Sequence, residues 1–493
     1  MVWLSLFLLG LILLLIVRQN VARVTRTPWW LLWLVLMLPA LLIGYWAITH
    51  GKQPPFPLLA SFFLFSTVLY FFLVQRGRIT PSPSNGNGAT TPAATNVAPA
   101  SAPPVARLID QTEESQLRSC FPWSVFYLQE IEPRPQVVIC RGQLRSQPDA
   151  AYQTIKDNIA AHFGDRFLVI FQMGASNKPF FALITNPQRS KSTAKLTRPI
   201  LALGLMTATL LTTTLAGVEL SDPTITGQAL VNNPALLMLG LPYAIALMTI
   251  LGIHELGHYL TARFYQIRTT LPYFIPVPFA IGTMGAFIQM RSPIPNRKTL
   301  FDVGIAGPLA GFIVTIPFLI WGLFHSEVVP LPEKTTPLNF DAFNPNFSLL
   351  MILLSKLVLG AQLNAQSGID LHPVAIAGCL GLVVTALNLM PVGQLDGGHI
   401  VHAMFGQRVG AAIGQITRLL VLLLCLVQPW LWFWAIILFF LPAFDEPALN
   451  DVSELDNQRD FLGLLSLTLL LLIVLPAPEF LTNLLLSPTN PAP

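Results

Sequence analysis

Ten apolar stretches, most close to 20 residues long, constrain this chain more than any other feature. They run over Val2–Val17, Trp29–Ile48, Leu58–Val74, Pro199–Gly217, Ala235–Ala262, Leu300–Phe324, Pro373–Pro391, Val409–Val427, Trp430–Ala443 and Phe461–Pro476. About 20 helical residues cross a hydrocarbon core, and a soluble domain of this size has no interior for so many. Only 11% of the residues are charged and 53% are hydrophobic, against about 25% charged in soluble chains. An ordinary cytosolic enzyme is excluded. The expected class is a polytopic α-helical membrane protein with about ten transmembrane helices, its partner the lipid bilayer. The formal charge of +4 is small for 493 residues and gives no case for nucleic acid. Four cysteines, Cys120, Cys140, Cys379 and Cys425, show neither metal-ligand spacing nor a disulfide framework.

The pattern divides the chain into five parts. Residues 1–78 carry three helices, and residues 79–106 form a Pro/Ser/Ala/Asn-rich linker whose composition cannot offset the entropy of ordering. Residues 107–197 return to ordinary polarity, with strands expected at Val125–Ile131, Val137–Leu144, Phe167–Gln172 and Phe180–Thr185 around one helix marked by Tyr152, Ile155, Ile159 and Phe163. That order predicts a small α+β domain. Residues 198–480 hold the remaining spans, and 481–493 form a tail. Lys and Arg flank cytoplasmic loops. Arg18, Arg23 and Arg26 follow the first span, Arg76 and Arg78 the third, and Arg189, Lys191, Lys195 and Arg198 precede the fourth. The N-terminus is therefore expected outside and the small domain in the cytoplasm. Phe347–Leu359, apolar apart from Lys356, is too short to cross and is expected to be an external surface helix or a half-inserted segment.

Within Ala235–Ala262 the ionisable side chains, tyrosines aside, are His254, Glu255 and His258. On a helix, positions i and i+4 lie about 40° apart in azimuth and roughly 6 Å apart along the axis. Both imidazoles can then share one Zn²⁺, with Glu255 placed as a base for water at the metal. Such a five-residue motif also arises by chance in soluble chains; at membrane depth an ionisable cluster marks function by default. Catalytic zinc wants a third protein ligand. Asp396, the sole acid between Leu371 and Val427, offers one at the end of a span, followed by Gly397 and Gly398, which are expected to give the backbone freedom to break the helix and turn the carboxylate inward. Spacing alone leaves Asp396 either as a ligand or as a helix-end acid facing water. His399 and His402 are expected to face the cytoplasm or the membrane surface.

His254-Glu255-x-x-His258 together with Asn388-x-x-Pro391-x-x-x-Leu395-Asp396-Gly397 resembles the site-2 protease family of intramembrane zinc metalloproteases, most closely its cyanobacterial and chloroplast branch. The runs Arg141–Arg145, Phe163–Asp165 and Leu449–Val452 carry the same resemblance. It implies zinc on His254, His258 and Asp396, Glu255 as catalytic base, and Asn388 beside the metal, polarising the scissile carbonyl or holding substrate. An interhelical hydrogen bond is the plainer reading of Asn388. The implied function is hydrolysis of peptide bonds within or near transmembrane segments of protein substrates, in a bacterial plasma or thylakoid membrane. A catalytically silent scaffold or chaperone, or a metal transporter, is the alternative. Leu271–Arg291, broken by Pro272, Pro276 and Pro278, cannot be a spanning helix. It is expected to be a re-entrant hairpin with a turn at Gly282–Gly285 and a strand over Ala286–Arg291. The free edge of that strand, Phe287, Ile288 and Gln289, would bind substrate by strand addition.

Overall fold

The computed structural model describes residues 27–50, 108–174, 178–186, 198–277, 281–332, 340–425 and 444–486, with scattered positions in 65–76 and 431–442. The span expected at Val2–Val17 and the linker at 79–106 lie outside the described residues. The chain divides into two compact units, Met1–Pro103 and Pro104–Pro493. In the first, helix α1 covers Trp29–His50 and matches the expected second span.

The second unit opens with the α+β domain. Helix α2 (Gln111–Ser119) starts at a capping box in which the Asp110 side chain accepts from Glu113 N–H and the Glu113 carboxylate accepts from Asp110 N–H. Sequence reading passed over this helix, although Asp-x-x-Glu is its signature. Strands β1 (Phe126–Pro133) and β2 (Val137–Leu144) follow, then α3 (Pro148–Phe163), β3 (Phe167–Met173) and β4 (Pro179–Thr185). These match the expected elements to within one or two residues, apart from the earlier start of α3. All pairings are antiparallel, in the order β1-β2-β4-β3. The core is aromatic, with Phe171 stacked on Phe181 at 4.1 Å and Phe126 edge-on to the same ring. All four cysteines are free and buried, and burial pushes the Cys140 thiol up to about 12.

The remainder is mostly helical: α4 (Pro199–Ser221), α5 (Gly227–Asn232), α6 (Leu241–Phe264), α7 (Arg297–Phe324), α8 (Leu349–Leu359), α9 (Pro373–Leu389), α10 (Asp396–Phe405), α11 (Gln407–Leu424), α12 (Asn457–Val474) and α13 (Glu479–Leu486). Among the described residues, α4, α7, α11 and α12 are long and apolar enough to cross a membrane. Helix α6 begins six residues later than Ala235, because Pro234–Leu239 forms a 3₁₀ segment ending at Gly240. A Cβ on Gly240 would meet the Thr214 carbonyl at 2.0 Å, so α4 and α6 cross there with their backbones in contact.

Two short ribbons complete the unit. β5 (Tyr273–Pro276) and β6 (Thr283–Phe287) form the expected hairpin, closed by the Val277 N–H on the Gly282 carbonyl at 3.1 Å. Its second strand, however, is Thr283–Phe287 rather than Ala286–Arg291. The turn ends at Gly282 (φ +82°), and beyond Phe287 the chain veers off to Thr269 and Thr270. β7 (Glu327–Pro330) leaves the end of α7 and pairs with β8 (Ser367–Asp370), which leads into α9. The chain thus leaves α7 and re-enters at α9 from the same end. The intervening α8 has 11 residues, which at about 1.5 Å per residue is shorter than a hydrocarbon core.

Candidate metal centre

His254, Glu255 and His258 sit in the C-terminal half of α6, all at most 8% exposed. The one-turn spacing brings the two Nε2 atoms to 3.3 Å. Asp396, the first residue of α10, supplies the third donor: its Oδ2 lies 3.6 Å from His254 Nε2 and 3.2 Å from His258 Nε2. Zinc holds N and O donors at about 2.0–2.2 Å, so tetrahedral neighbours lie roughly 3.3–3.5 Å apart. The triangle has that size. These are also the only three His, Cys, Asp or Glu side chains that meet in such a group among the described residues. The donor chemistry and spacing therefore fit zinc.

Several contacts orient the donors. His258 Nδ1–H donates to the Val303 carbonyl at 2.8 Å, which leaves the Nε2 lone pair facing the centre. The Asn388 amide nitrogen lies 3.1 Å from His254 Nε2, the donor atom itself, so Asn388 borders the metal position rather than orienting the ring. On α7, Gly304, Gly307 and Gly311 line up against the site. A Cβ at Gly307 would stand 2.1 Å from His258 Nε2, and one at Gly311 would stand 3.1 Å from His254. Sequence reading missed this stripe, whose only signal is three glycines at helical spacing along one span.

The turn that delivers Asp396 works differently from the expectation that Gly397 and Gly398 loosen the backbone. Both are helical; the left-handed residue is Gly393, φ +55°. Gly397 and Gly398 are needed for room, because a Cβ would meet the Leu389 carbonyl at 2.0 Å and the Gly393 carbonyl at 2.2 Å. His399 and His402 do not face water. They are turned inward onto Asp445, and His402 is 1% exposed.

A cavity of about 300 Å³ opens beside the three donors, lined by Glu255, Asn388, Phe287 and Ile288 among others. Ile288 and Glu255 line the same cavity wall. β6 pairs only with β5, so its second edge has no strand partner among the described residues. Of the expected edge residues, Phe287 ends the strand and is 47% exposed, and Ile288 follows it. Gln289 does not lie on a free edge: its N–H donates to Thr270 Oγ1 at 3.0 Å and its carbonyl accepts from Thr270 N–H at 3.1 Å.

Two histidines and a carboxylate, with a glutamate next to the first histidine, define a zinc metalloprotease, here built on the helices of a membrane protein. The family model for peptidase family M50 matches residues 242–427, and that for the EGY3 middle domain matches residues 115–192. The chain is 30% identical over 379 residues to the probable zinc metalloprotease EGY2, chloroplastic, of Arabidopsis thaliana, covering 76% of this chain and 67% of that one. It is 35% identical over 237 residues to the probable zinc metalloprotease EGY1, chloroplastic, of the same plant, covering 48% and 43%. To the Arabidopsis probable zinc metallopeptidase EGY3, chloroplastic, it is 26% identical over 371 residues, covering 70% and 62%. The chain therefore spans between 43% and 67% of the length of these relatives. No solved structure matches. The chain belongs to peptidase family M50, the site-2 protease family.

Proposed function

We propose that this metalloprotease cuts peptide bonds within or beside the transmembrane segments of other membrane proteins. The observation that carries the proposal is the place of the donors. They sit in apolar helices, next to a cavity bordered by a hairpin edge that has no strand partner among the described residues. His254, His258 and Asp396 would hold the zinc. When bound, zinc polarises a carbonyl and lowers the pKa of water towards about 7.

The rest of the chemistry falls to the protein. A transmembrane substrate hides its peptide bonds in i→i−4 hydrogen bonds, and its unwound backbone needs other partners. The open edge of β6, ending at Phe287, offers them by strand addition. Glu255 is placed to take a proton from attacking water and pass it to the leaving amide nitrogen. Glu255 and Ile288 both face the cavity, so a substrate strand at this edge would lie beside the carboxylate. Asn388 can turn its amide from His254 to the scissile carbonyl, a shift of one hydrogen bond. Water enters from the cytoplasmic side, where Arg263 and Arg268 follow α6 and where the positive-inside pattern puts the α+β domain.

The test is reconstitution in liposomes with a panel of single-span substrates. Wild-type protein should cut inside the embedded segment, and Glu255→Gln should retain zinc and cut nothing. Cleavage confined to soluble peptides would refute the intramembrane reading. Unchanged cleavage by Glu255→Gln would refute the role of the glutamate, and no cleavage by wild type with zinc bound would favour a scaffold.

A further inference from the structure

α10 carries a second polar cluster, one and two turns beyond Asp396. His402 is bonded at both ring nitrogens: Nδ1 to Asp445 Oδ2 at 2.7 Å and Nε2 to Asp451 Oδ1 at 2.9 Å. His399 Nδ1 reaches the same Asp445 oxygen at 2.9 Å. An imidazole flanked by two carboxylates donates from both nitrogens and is therefore a cation. Burial disfavours the charge, but Asp445 and Asp451 outweigh it and raise His402 to about 9.

Both acids belong to a strap, Asp445–Ser453, that reaches the α+β domain. Phe171 N–H in β3 donates to the Leu449 carbonyl at 2.7 Å, and Asp451 N–H donates to the Phe171 carbonyl at 2.9 Å. The strap thus adds to the open edge of β3. On its other side Leu449 N–H and Asn450 N–H donate to the Ile294 and Pro295 carbonyls, just before α7. Asn450 also bonds Asp149 of α3 at 3.1 Å. Arg297, at the start of α7, grips α10 from below through the Ala403 carbonyl at 2.7 Å. Three elements are therefore linked in series: the helix that begins with Asp396 bonds the strap through His402, and the strap bonds the edge of the small domain's sheet at Phe171.

We propose that His402 is a positioning residue, which ties α10 to the strap docked on the α+β domain and so fixes the zinc donor Asp396 at the head of the same helix. The geometry favours this over simple packing. A buried cation with two buried partners is costly to build and costly to break, whereas apolar residues would have packed the same space. The charge gives one register of α10 against the strap, and a helix slipped off that register carries Asp396 away from the histidines. The small domain thereby becomes part of the catalytic body rather than an appendage.

The inference rests on Asp396 as a donor, and the experiment separates the two. Zinc affinity is measured by chelator competition on the full-length protein in detergent, and geometry by the visible spectrum of the Co²⁺-loaded form. His402→Gln and Asp451→Asn should each weaken zinc about tenfold or more, as loss of a group that orients a ligand does, and shift the cobalt bands. The double variant should be little worse than His402→Gln alone. A residue that only stabilises the fold would lower the melting temperature and leave the bands in place, and that result overturns the proposal. Should His402→Gln fail to fold, Asp451→Asn, which keeps the shape, decides by the same readouts. If Asp396→Asn itself binds zinc normally, the donor assignment has failed; if Asp396→Asn weakens zinc while the His402 and Asp451 variants do not, only the positioning role has.

Discussion

Gly307→Ala is the sharpest probe of how the site is built. The added Cβ would stand 2.1 Å from Nε2 and 2.4 Å from Cδ2 of His258, about 1.3 Å inside the 3.4 Å of ordinary contact. Neither partner can yield cheaply. The ring is held at Nδ1 by the Val303 carbonyl, which lies on α7 one turn before Gly307 itself. Moving α7 away to clear the methyl would draw that carbonyl off the ring. Tipping the ring instead would carry Nε2 off the metal. Overpacking of this kind costs about 1–3 kcal/mol, and 1.4 kcal/mol is tenfold, so zinc affinity should fall roughly five- to 150-fold. Chelator competition on purified protein measures it. Cleavage by the zinc-saturated variant should fall by about a hundredfold, the effect of an ångström's misplacement. Gly204→Ala in α4, where a Cβ meets nothing within 4 Å, is the control and should bind zinc normally. Wild-type zinc affinity in Gly307→Ala would refute the close approach of α7 to the ligand.

Other expectations are equally direct. His254→Ala and His258→Ala should abolish stoichiometric zinc, and Asp396→Asn should weaken it and remove activity; metal analysis that finds full zinc in Asp396→Asn would take that residue out of the site. Ile288→Pro deletes a backbone N–H at the end of the hairpin edge and should cost roughly 1–3 kcal/mol, a five- to 150-fold slower cleavage with zinc retained, whereas normal rates in both Ile288→Pro and Phe287→Pro would remove the hairpin edge as the substrate's seat. A cysteine placed at the exposed Gln366, just before β8, should react with impermeant reagent from outside. The four native cysteines are buried and give little background, and labelling from the cytoplasm would invert the orientation.

Much of this protein follows from local pattern. Runs of about 20 apolar residues can be satisfied only as helices in a bilayer, and most helix boundaries fall within a few residues of those runs. The α+β domain was legible for the same kind of reason: alternation and helical spacing are properties of neighbours in the chain. So was the pairing of His254 with His258, because i and i+4 share a helix face whatever surrounds them. Tertiary structure decided everything that joins distant residues. Spacing could not tell Asp396 the ligand from Asp396 the helix-end acid, since the answer depends on α10 being led back against α6 by a turn that needs Gly393 left-handed and Gly397 and Gly398 bare. Gly304, Gly307 and Gly311 are unremarkable along α7 until the two imidazoles lie against them. His402 reads as a surface histidine until Asp445 and Asp451, more than 40 residues on, close over it. Sequence patterns report the energy of a residue with its chain neighbours, whereas close approach of backbones and compensation of buried charge are settled between elements, where only the folded chain supplies the partner.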